Sequence, residues 1–223
     1  MHDDRSTAMQ ERQQLALTLL RAAGILPILT VDSIDQARAT AEALRRGGLN
    51  SIELTLRTAA SLPALAALKR EFPDMAIGAG TVLSEDQVRA AEQAGADFLV
   101  TPGVSRNMVD VLAATPLPVV PGIASPSELL TLHECGFRVA KLFPAAALGG
   151  ITMLKALHGP FPDMMFCPTG GIGEDDAAIF LAQPNVACIG GSWMVPREWL
   201  ADGSFDKVQA GALRARTLLD ARR

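Results

Sequence analysis

Lys141 lies inside the run Val139-Ala140-Lys141-Leu142-Phe143-Pro144, which is short and apolar enough to be a buried strand. Burial disfavours an ammonium ion and supplies the neutral amine that attacks a ketone to form a Schiff base. The alternative is a structural lysine whose head group snorkels to the strand end or pairs with a carboxylate. Glu53, Thr55 and Arg57 follow one another at a spacing of two and so share one face of a strand. A carboxylate turned into a core is costly unless it pairs or works. Two readings stay open for Glu53: an ion pair with Arg57 or Lys141, or a general acid/base beside a cationic anchor. In Gly78-Ala79-Gly80-Thr81, small residues clear room and a hydroxyl is able to donate to a bound carboxylate. Pro168-Thr169-Gly170-Gly171 and Gly190-Gly191-Ser192 place paired glycines in two loops, where backbone N–H groups and a following helix N-terminus cradle phosphate. Ordinary turn glycines are the plainer reading, and Thr101-Pro102-Gly103 and Pro121-Gly122 end strands as Pro and Gly do anywhere.

The elements that must carry these residues recur along the chain. Short apolar or β-branched runs stand at 25–31, 51–56, 76–82, 98–103, 119–123, 139–144, 165–171 and 186–193, their starts about 20 to 26 residues apart. Ala/Leu-rich segments of helical period lie between them. Ser33 with Gln36 and Ser84 with Gln87 read as capping boxes, and Ser125-Pro126-Ser127-Glu128 adds Pro at the first helical position. Gly47-Gly48, Gly95 and Gly136 fall where helix C-termini take a left-handed residue. Eightfold strand–helix alternation predicts a parallel sheet closed into a single (β/α)8 TIM barrel, its active site where strand C-termini meet their loops. An extra N-terminal helix over 13–23 closes the barrel bottom. The barrel domain is expected over 13–223, after a polar, flexible tail over 1–12. An open doubly wound sheet is the competing fold; no G-x-G-x-x-G follows the first strand, and the special residues are spread over many strand ends.

Composition narrows the function classes. The 223 residues are 49% apolar, ample for a core, and no linker or charge block divides them. Net charge is −4, with Lys and Arg scattered, so no basic face invites nucleic acid or an acidic membrane. No apolar run reaches the roughly 18 residues of a membrane span, and a soluble, cytoplasmic protein is expected. Cys135, Cys167 and Cys188 lack CxxC spacing, lie in apolar or helical contexts and read as free buried thiols. His2, His133 and His158 do not cluster with carboxylates at metal-site spacing, so no metal is expected. Trp193 and Trp199 read as packing.

Together, Ile52-Glu53-Leu54-Thr55-Leu56-Arg57-Thr58, Gly78-Ala79-Gly80-Thr81-Val82, Lys141-Leu142-Phe143-Pro144-Ala145, Gly159-Pro160-Phe161, Phe166-Cys167-Pro168-Thr169-Gly170-Gly171-Ile172 and Cys188-Ile189-Gly190-Gly191-Ser192-Trp193 are specific. Over roughly residues 15–205 the chain resembles the bacterial 2-keto-3-deoxy-6-phosphogluconate (KDPG) and 4-hydroxy-2-oxoglutarate (KHG) aldolases, small class I aldolases of the Entner–Doudoroff pathway. The resemblance implies Lys141 as the Schiff-base lysine and Glu53 as the general acid/base. It implies Arg57 and Thr81 as holders of the pyruvate carboxylate, and Pro102 and Phe143 as pocket walls. It implies Gly170, Gly171, Gly190 and Ser192 as the phosphate site, with Thr169 typical of gluconate-type rather than galactonate-type enzymes. A small phosphorylated keto acid as substrate, no cofactor beyond the covalent Schiff base, and a homotrimer are implied as well. The chain departs from the family at Ala146, where a Glu is usual, and at Leu148, where a small residue is common. A phosphate-binding barrel isomerase or epimerase would keep the glycine loops without needing Lys141, and a silent metabolite-binding barrel would keep them too.

Overall fold

The computed structural model describes the backbone of residues 2–221 and the side chains of residues 7–221. Its strands are β1 (Ile25–Leu29), β2 (Ser51–Thr55), β3 (Ala76–Gly80), β4 (Phe98–Val100), β5 (Val119–Val120), β6 (Gly122–Ile123), β7 (Val139–Leu142), β8 (Met165–Phe166) and β9 (Ile189–Gly191). Its helices are α1 (His2–Ala23), α2 (Ile34–Arg46), α3 (Ser61–Glu71), α4 (Glu85–Gln93), α5 (Arg106–Ala114), α6 (Pro126–Glu134), α7 (Ile151–His158), α8 (Glu174–Leu181), α9 (Arg197–Ala201) and α10 (Phe205–Asp220). Among the described residues no helix is long and apolar enough to cross a membrane.

All ladders are parallel, but they do not close into the eight-stranded (β/α)8 TIM barrel expected from the sequence. Six strands form a half-barrel in the order β5-β4-β3-β2-β1-β9, and a separate small sheet runs β6-β7-β8. The correction has a physical cause. Pro121 stands between β5 and β6 and has no N–H to give a ladder, so the run at 119–123 splits. Its first part pairs with β4 and its second with β7. Across the other seam only isolated bridges, Phe166 with Val186 and Thr169 with Gly190, join the two sheets. Pro168 interrupts that run in the same way.

Side chains alternate between the two faces of each strand. One set, including Leu29, Ile52, Leu54, Ile77, Leu99 and Leu142, packs under the helices with residues such as Leu44, Leu65 and Leu129. The other set faces the concave side, where Leu26, Phe98, Val100, Val120, Val139, Cys167 and Cys188 cluster with Ala16, Leu20 and Ala23 of α1. This helix covers the expected 13–23 and continues back through the polar segment to His2, while Met1 lies outside the described residues. Gln13, only 3% exposed, explains part of its docking. Its amide donates to Val119 O on the half-barrel, while its carbonyl accepts from Arg138 N and Val139 N on the small sheet.

The serine caps form where the sequence places them. Ser33, Ser84 and Ser125 accept from the backbone N–H groups of Gln36, Gln87 and Glu128, and Ser105 does the same for Met108. Each such cap stabilises its helix by about 1 kcal/mol. Gln36, Gln87 and Glu128 reach back one residue beyond the cap, to the N–H groups of Asp32, Leu83 and Ala124. The strand-to-helix turns beyond the C-terminal strand ends are thereby fixed.

Candidate active site

Strand register decides which side chains meet. Ile28 stands opposite Glu53, and Glu53 opposite Gly78; one step on, Thr55 stands opposite Gly80. Across the small sheet Gly122 stands opposite Lys141. These positions share the concave face, toward the C-terminal ends of the strands.

There Lys141 Nζ lies 3.1 Å from Glu53 Oε1 and 3.4 Å from Oε2. Lys141 is 5% exposed and Glu53 1%, although they are 88 residues apart in sequence. Of the ion pairs open to Glu53 from sequence, the one with Lys141 forms. Desolvating both charges is expensive, so the pair is held by the surrounding fold rather than being its source of stability. It is also one proton transfer away from a neutral amine beside a carboxylic acid, the form in which a lysine attacks a carbonyl. The ammonium sits 5.3 Å from the centroid of the Phe143 ring.

Two glycines make the room. A Cβ on Gly80 would lie 2.2 Å from Glu53 Oε1, and one on Gly122 would lie 2.4 Å from the Pro102 carbonyl carbon. Only hydrogen is tolerated at either position without moving the acid or the wall beside the lysine.

Arg57 is exposed at the rim and donates from Nε to Thr81 Oγ1 at 3.1 Å. Thr81 has φ 57°, and it is the one non-glycine residue in the left-handed region among the described residues. A β-branched residue there costs on the order of 1–3 kcal/mol, a strain that concentrates at functional sites. It holds the hydroxyl beside the guanidinium. The two groups together form a cation-and-hydroxyl anchor suited to a carboxylate.

The glycine loops lie side by side, tied by the Thr169–Gly190 bridge. Gly170 and Gly171 have φ 97° and 75°, a turn of the kind that gathers backbone N–H groups around an anion. Gly190 differs: its N–H donates to Pro168 O at 2.9 Å, and a Cβ on it would lie 2.3 Å from Thr169 Oγ1. It makes space for Thr169, which is 4% exposed and donates to Cys167 O at 3.3 Å. Ser192 is exposed beyond β9. The first turn of α8 carries Glu174, Asp175 and Asp176, so that helix end is already served by carboxylates. Ala146, where the family usually has Glu, sits against the glycine turn; a Cβ on Gly171 would lie 2.6 Å from its own.

All three cysteines are free thiols, but only Cys167 and Cys188 are buried as expected; Cys135 caps the C-terminus of α6 and is exposed. Burial first, then the neighbouring Cys167, pushes the Cys188 thiol well above its ordinary range. No group of three or more His, Cys, Asp or Glu side chains is gathered as a metal site among the described residues. Two residues at the mouth that were not singled out from sequence, Ile28 and Thr30, lie beside Glu53 and Thr55. Both look like ordinary strand residues in Ile25-Leu26-Pro27-Ile28-Leu29-Thr30-Val31; counting alternation from Leu26 is the signal that finds them.

The family model of KDPG and KHG aldolases matches residues 17–211. The chain is 46% identical over 192 residues to the 2-dehydro-3-deoxy-phosphogluconate aldolase of Pseudomonas aeruginosa, covering 86% of this chain and 87% of that one. It is 37% identical over 200 residues to the KHG/KDPG aldolase of Escherichia coli, covering 90% and 94%. A solved structure of KDPG aldolase from Legionella pneumophila, with pyruvate captured at low pH as a covalent carbinolamine intermediate, matches with a TM-score of 0.87 at 40% identity. That match covers 89% of this chain and 96% of that one. A buried lysine on a carboxylate, on a chain alike over nearly its whole length, makes this protein a member of the KDPG and KHG aldolase family.

Proposed function

We propose that this chain is a class I aldolase that cleaves KDPG to pyruvate and glyceraldehyde 3-phosphate, with a lesser activity on 4-hydroxy-2-oxoglutarate. The observation that carries the reading is the buried contact of Lys141 Nζ with Glu53, 3.1 Å long. Lys141 attacks the C2 ketone, and loss of water from the carbinolamine gives an iminium. Glu53, directly or through water, accepts the C4 hydroxyl proton as the C3–C4 bond breaks; the electron pair of that bond passes to C3 and the iminium nitrogen. Glyceraldehyde 3-phosphate leaves, the enamine is protonated at C3, and hydrolysis releases pyruvate and the free amine. The iminium is the electron sink, so the reaction needs no cofactor.

In this reading Arg57 and Thr81 hold the substrate carboxylate. Pro102 and Phe143 line the pocket. Gly170, Gly171 and Ser192 face the phosphate, with Gly190 giving Thr169 its place. Losing charge-assisted hydrogen bonds of about 1.5–3 kcal/mol each would penalise an unphosphorylated analogue by at least about tenfold. Thr169 favours the gluconate epimer over its C4 galactonate epimer, and kcat/KM for the two decides between these substrates. A homotrimer in the cytoplasm completes the proposal.

The test is incubation with pyruvate and borohydride, followed by mass spectrometry. One pyruvate-derived adduct per subunit is expected on the peptide containing Lys141. Labelling of Lys69, Lys155 or Lys207 instead, or no adduct, would overturn the reading and return weight to an isomerase or epimerase.

A further inference from the structure

At the mouth of the concave face two hydroxyls meet. Thr30 Oγ1 lies 2.8 Å from Thr55 Oγ1, and Thr55 Oγ1 lies 2.9 Å from Leu29 O. Each hydroxyl has one proton, and a carbonyl oxygen only accepts. The Thr55 proton therefore goes to Leu29 O, and the 2.8 Å contact is filled by the proton of Thr30. Thr55 is 1% exposed and closed off, whereas Thr30 is half-buried at the mouth. Thr30 thus presents lone pairs and no donor to whatever occupies the site. It welcomes a hydroxyl and repels the oxygens of a carboxylate or phosphate.

Its place on the sheet narrows which hydroxyl. β1 pairs with β2 on one side and β9 on the other. On the β2 side stand Glu53 and the Arg57–Thr81 anchor; on the β9 side stand Gly190 and Ser192. Given the proposed aldolase reading, on which this inference rests, the substrate runs from its C1 carboxylate at Arg57 to its C6 phosphate at the glycine loops. C4 lies at Glu53. C5 then passes the end of β1.

We propose that Thr30 is a specificity-determining residue that accepts a hydrogen bond from the C5 hydroxyl of the phosphorylated substrate, its own proton being committed to Thr55. 4-Hydroxy-2-oxoglutarate carries a carboxylate at that carbon and has no donor to offer. Thr30 therefore favours the sugar-acid phosphate over the dicarboxylate.

The experiment compares wild type, Thr30→Val and Thr30→Ser in kcat/KM for KDPG and for 4-hydroxy-2-oxoglutarate, with pyruvate trapping on Lys141 as a parallel readout. Val has nearly the shape of Thr, and removing the Thr30 hydroxyl leaves the Thr55 proton on Leu29 O, so no buried donor is orphaned. Thr30→Val is expected to lower kcat/KM for KDPG by about tenfold, as loss of one neutral hydrogen bond does. It should leave the trapping unchanged and the dicarboxylate value no lower than wild type, since a lone pair facing that carboxylate is removed, and Thr30→Ser should keep the KDPG value. An equal fall for both substrates, or a KDPG value within twofold of wild type, overturns the role. Should Thr30→Val fail to fold, aldol addition by the wild type decides. The aldehyde phosphate lacking the hydroxyl next to its carbonyl should react about tenfold less efficiently than glyceraldehyde 3-phosphate, and equal rates overturn the role. Failure of pyruvate to trap on Lys141 in the wild type sinks the aldolase reading instead; trapping with an unchanged substrate ratio sinks only the part given to Thr30.

Discussion

The concave face has two halves built on the same strands, and they differ in almost everything but backbone. Toward the strand N-termini it is Leu26, Phe98, Val120, Val139, Cys167 and Cys188, packed on α1. Two residues further along each strand come Ile28, Val100, Gly122, Lys141, Thr169 and Gly190. The step from Val139 to Lys141 or from Cys167 to Thr169 is a single side-chain repeat, yet it passes from dry packing to a buried ion pair and a hydrogen-bonded hydroxyl. Ligands of parallel α/β sheets gather outside the carboxyl ends of the strands. Here that leaves one half free to be a plain core while the other bears the cost of a buried ion pair and a strained Thr81.

The largest effect expected from separating the halves comes from Glu53→Gln. It keeps the shape but removes the carboxylate, so kcat should fall by about 10²–10⁴-fold in the folded fraction, and the thermal midpoint should fall too because buried Lys141 loses its countercharge. Activity within a few-fold of wild type would mean that Glu53 merely partners Lys141. Phe98→Ala is the counterpart in the other half. Phe98 is 3% exposed and its ring fills the space a Cβ on Gly78 would take. Removing it should cost about 3–5 kcal/mol in denaturant unfolding, with pyruvate still trapped on Lys141 in the folded fraction. Loss of trapping with undiminished stability would erase the division.

The smallest effect concerns Cys188. Its thiol is pushed up by burial, so folding favours the protonated form. Its contribution to stability is full below the ordinary thiol value of 9.0 and is lost as pH rises above it. At pH 8.5 a thiol reagent should label Cys135 in the native protein and reach Cys167 and Cys188 only on unfolding. Rapid native labelling of Cys188 would show that the apolar half opens to solvent.

Much of this division is visible in sequence because strand alternation is simple. Glu53, Arg57 and Lys141 stand out as charged residues in apolar runs, and the serine caps mark where helices begin. What stays hidden depends on pairing. Pro121 in the 119–123 run looks like a strand residue until the ladder changes partner there, so closure of one eight-stranded barrel is over-predicted. Gly80 reads only as one of several small residues clearing room and Gly122 as a strand end; register alone sets them against Glu53 and Pro102. Gly190 seems to offer an N–H that is in fact spent on Pro168. The helical reach of α1 through polar residues escapes detection because its amphipathic pattern begins late.

Gln13 gives the seam between the sheets a further meaning. One buried amide spans the gap that Pro121 leaves, tying Val119 on one sheet to Arg138 and Val139 on the other. No ladder at that point holds the two sheets in register, so a side chain from a different element acts as the rivet. Undocking α1 would free Val119, Arg138 and Val139 at once and leave the Gly122 N–H to Thr101 Oγ1 bond to hold that seam, so the strand bearing Lys141 is positioned in part by a helix that touches none of the chemistry.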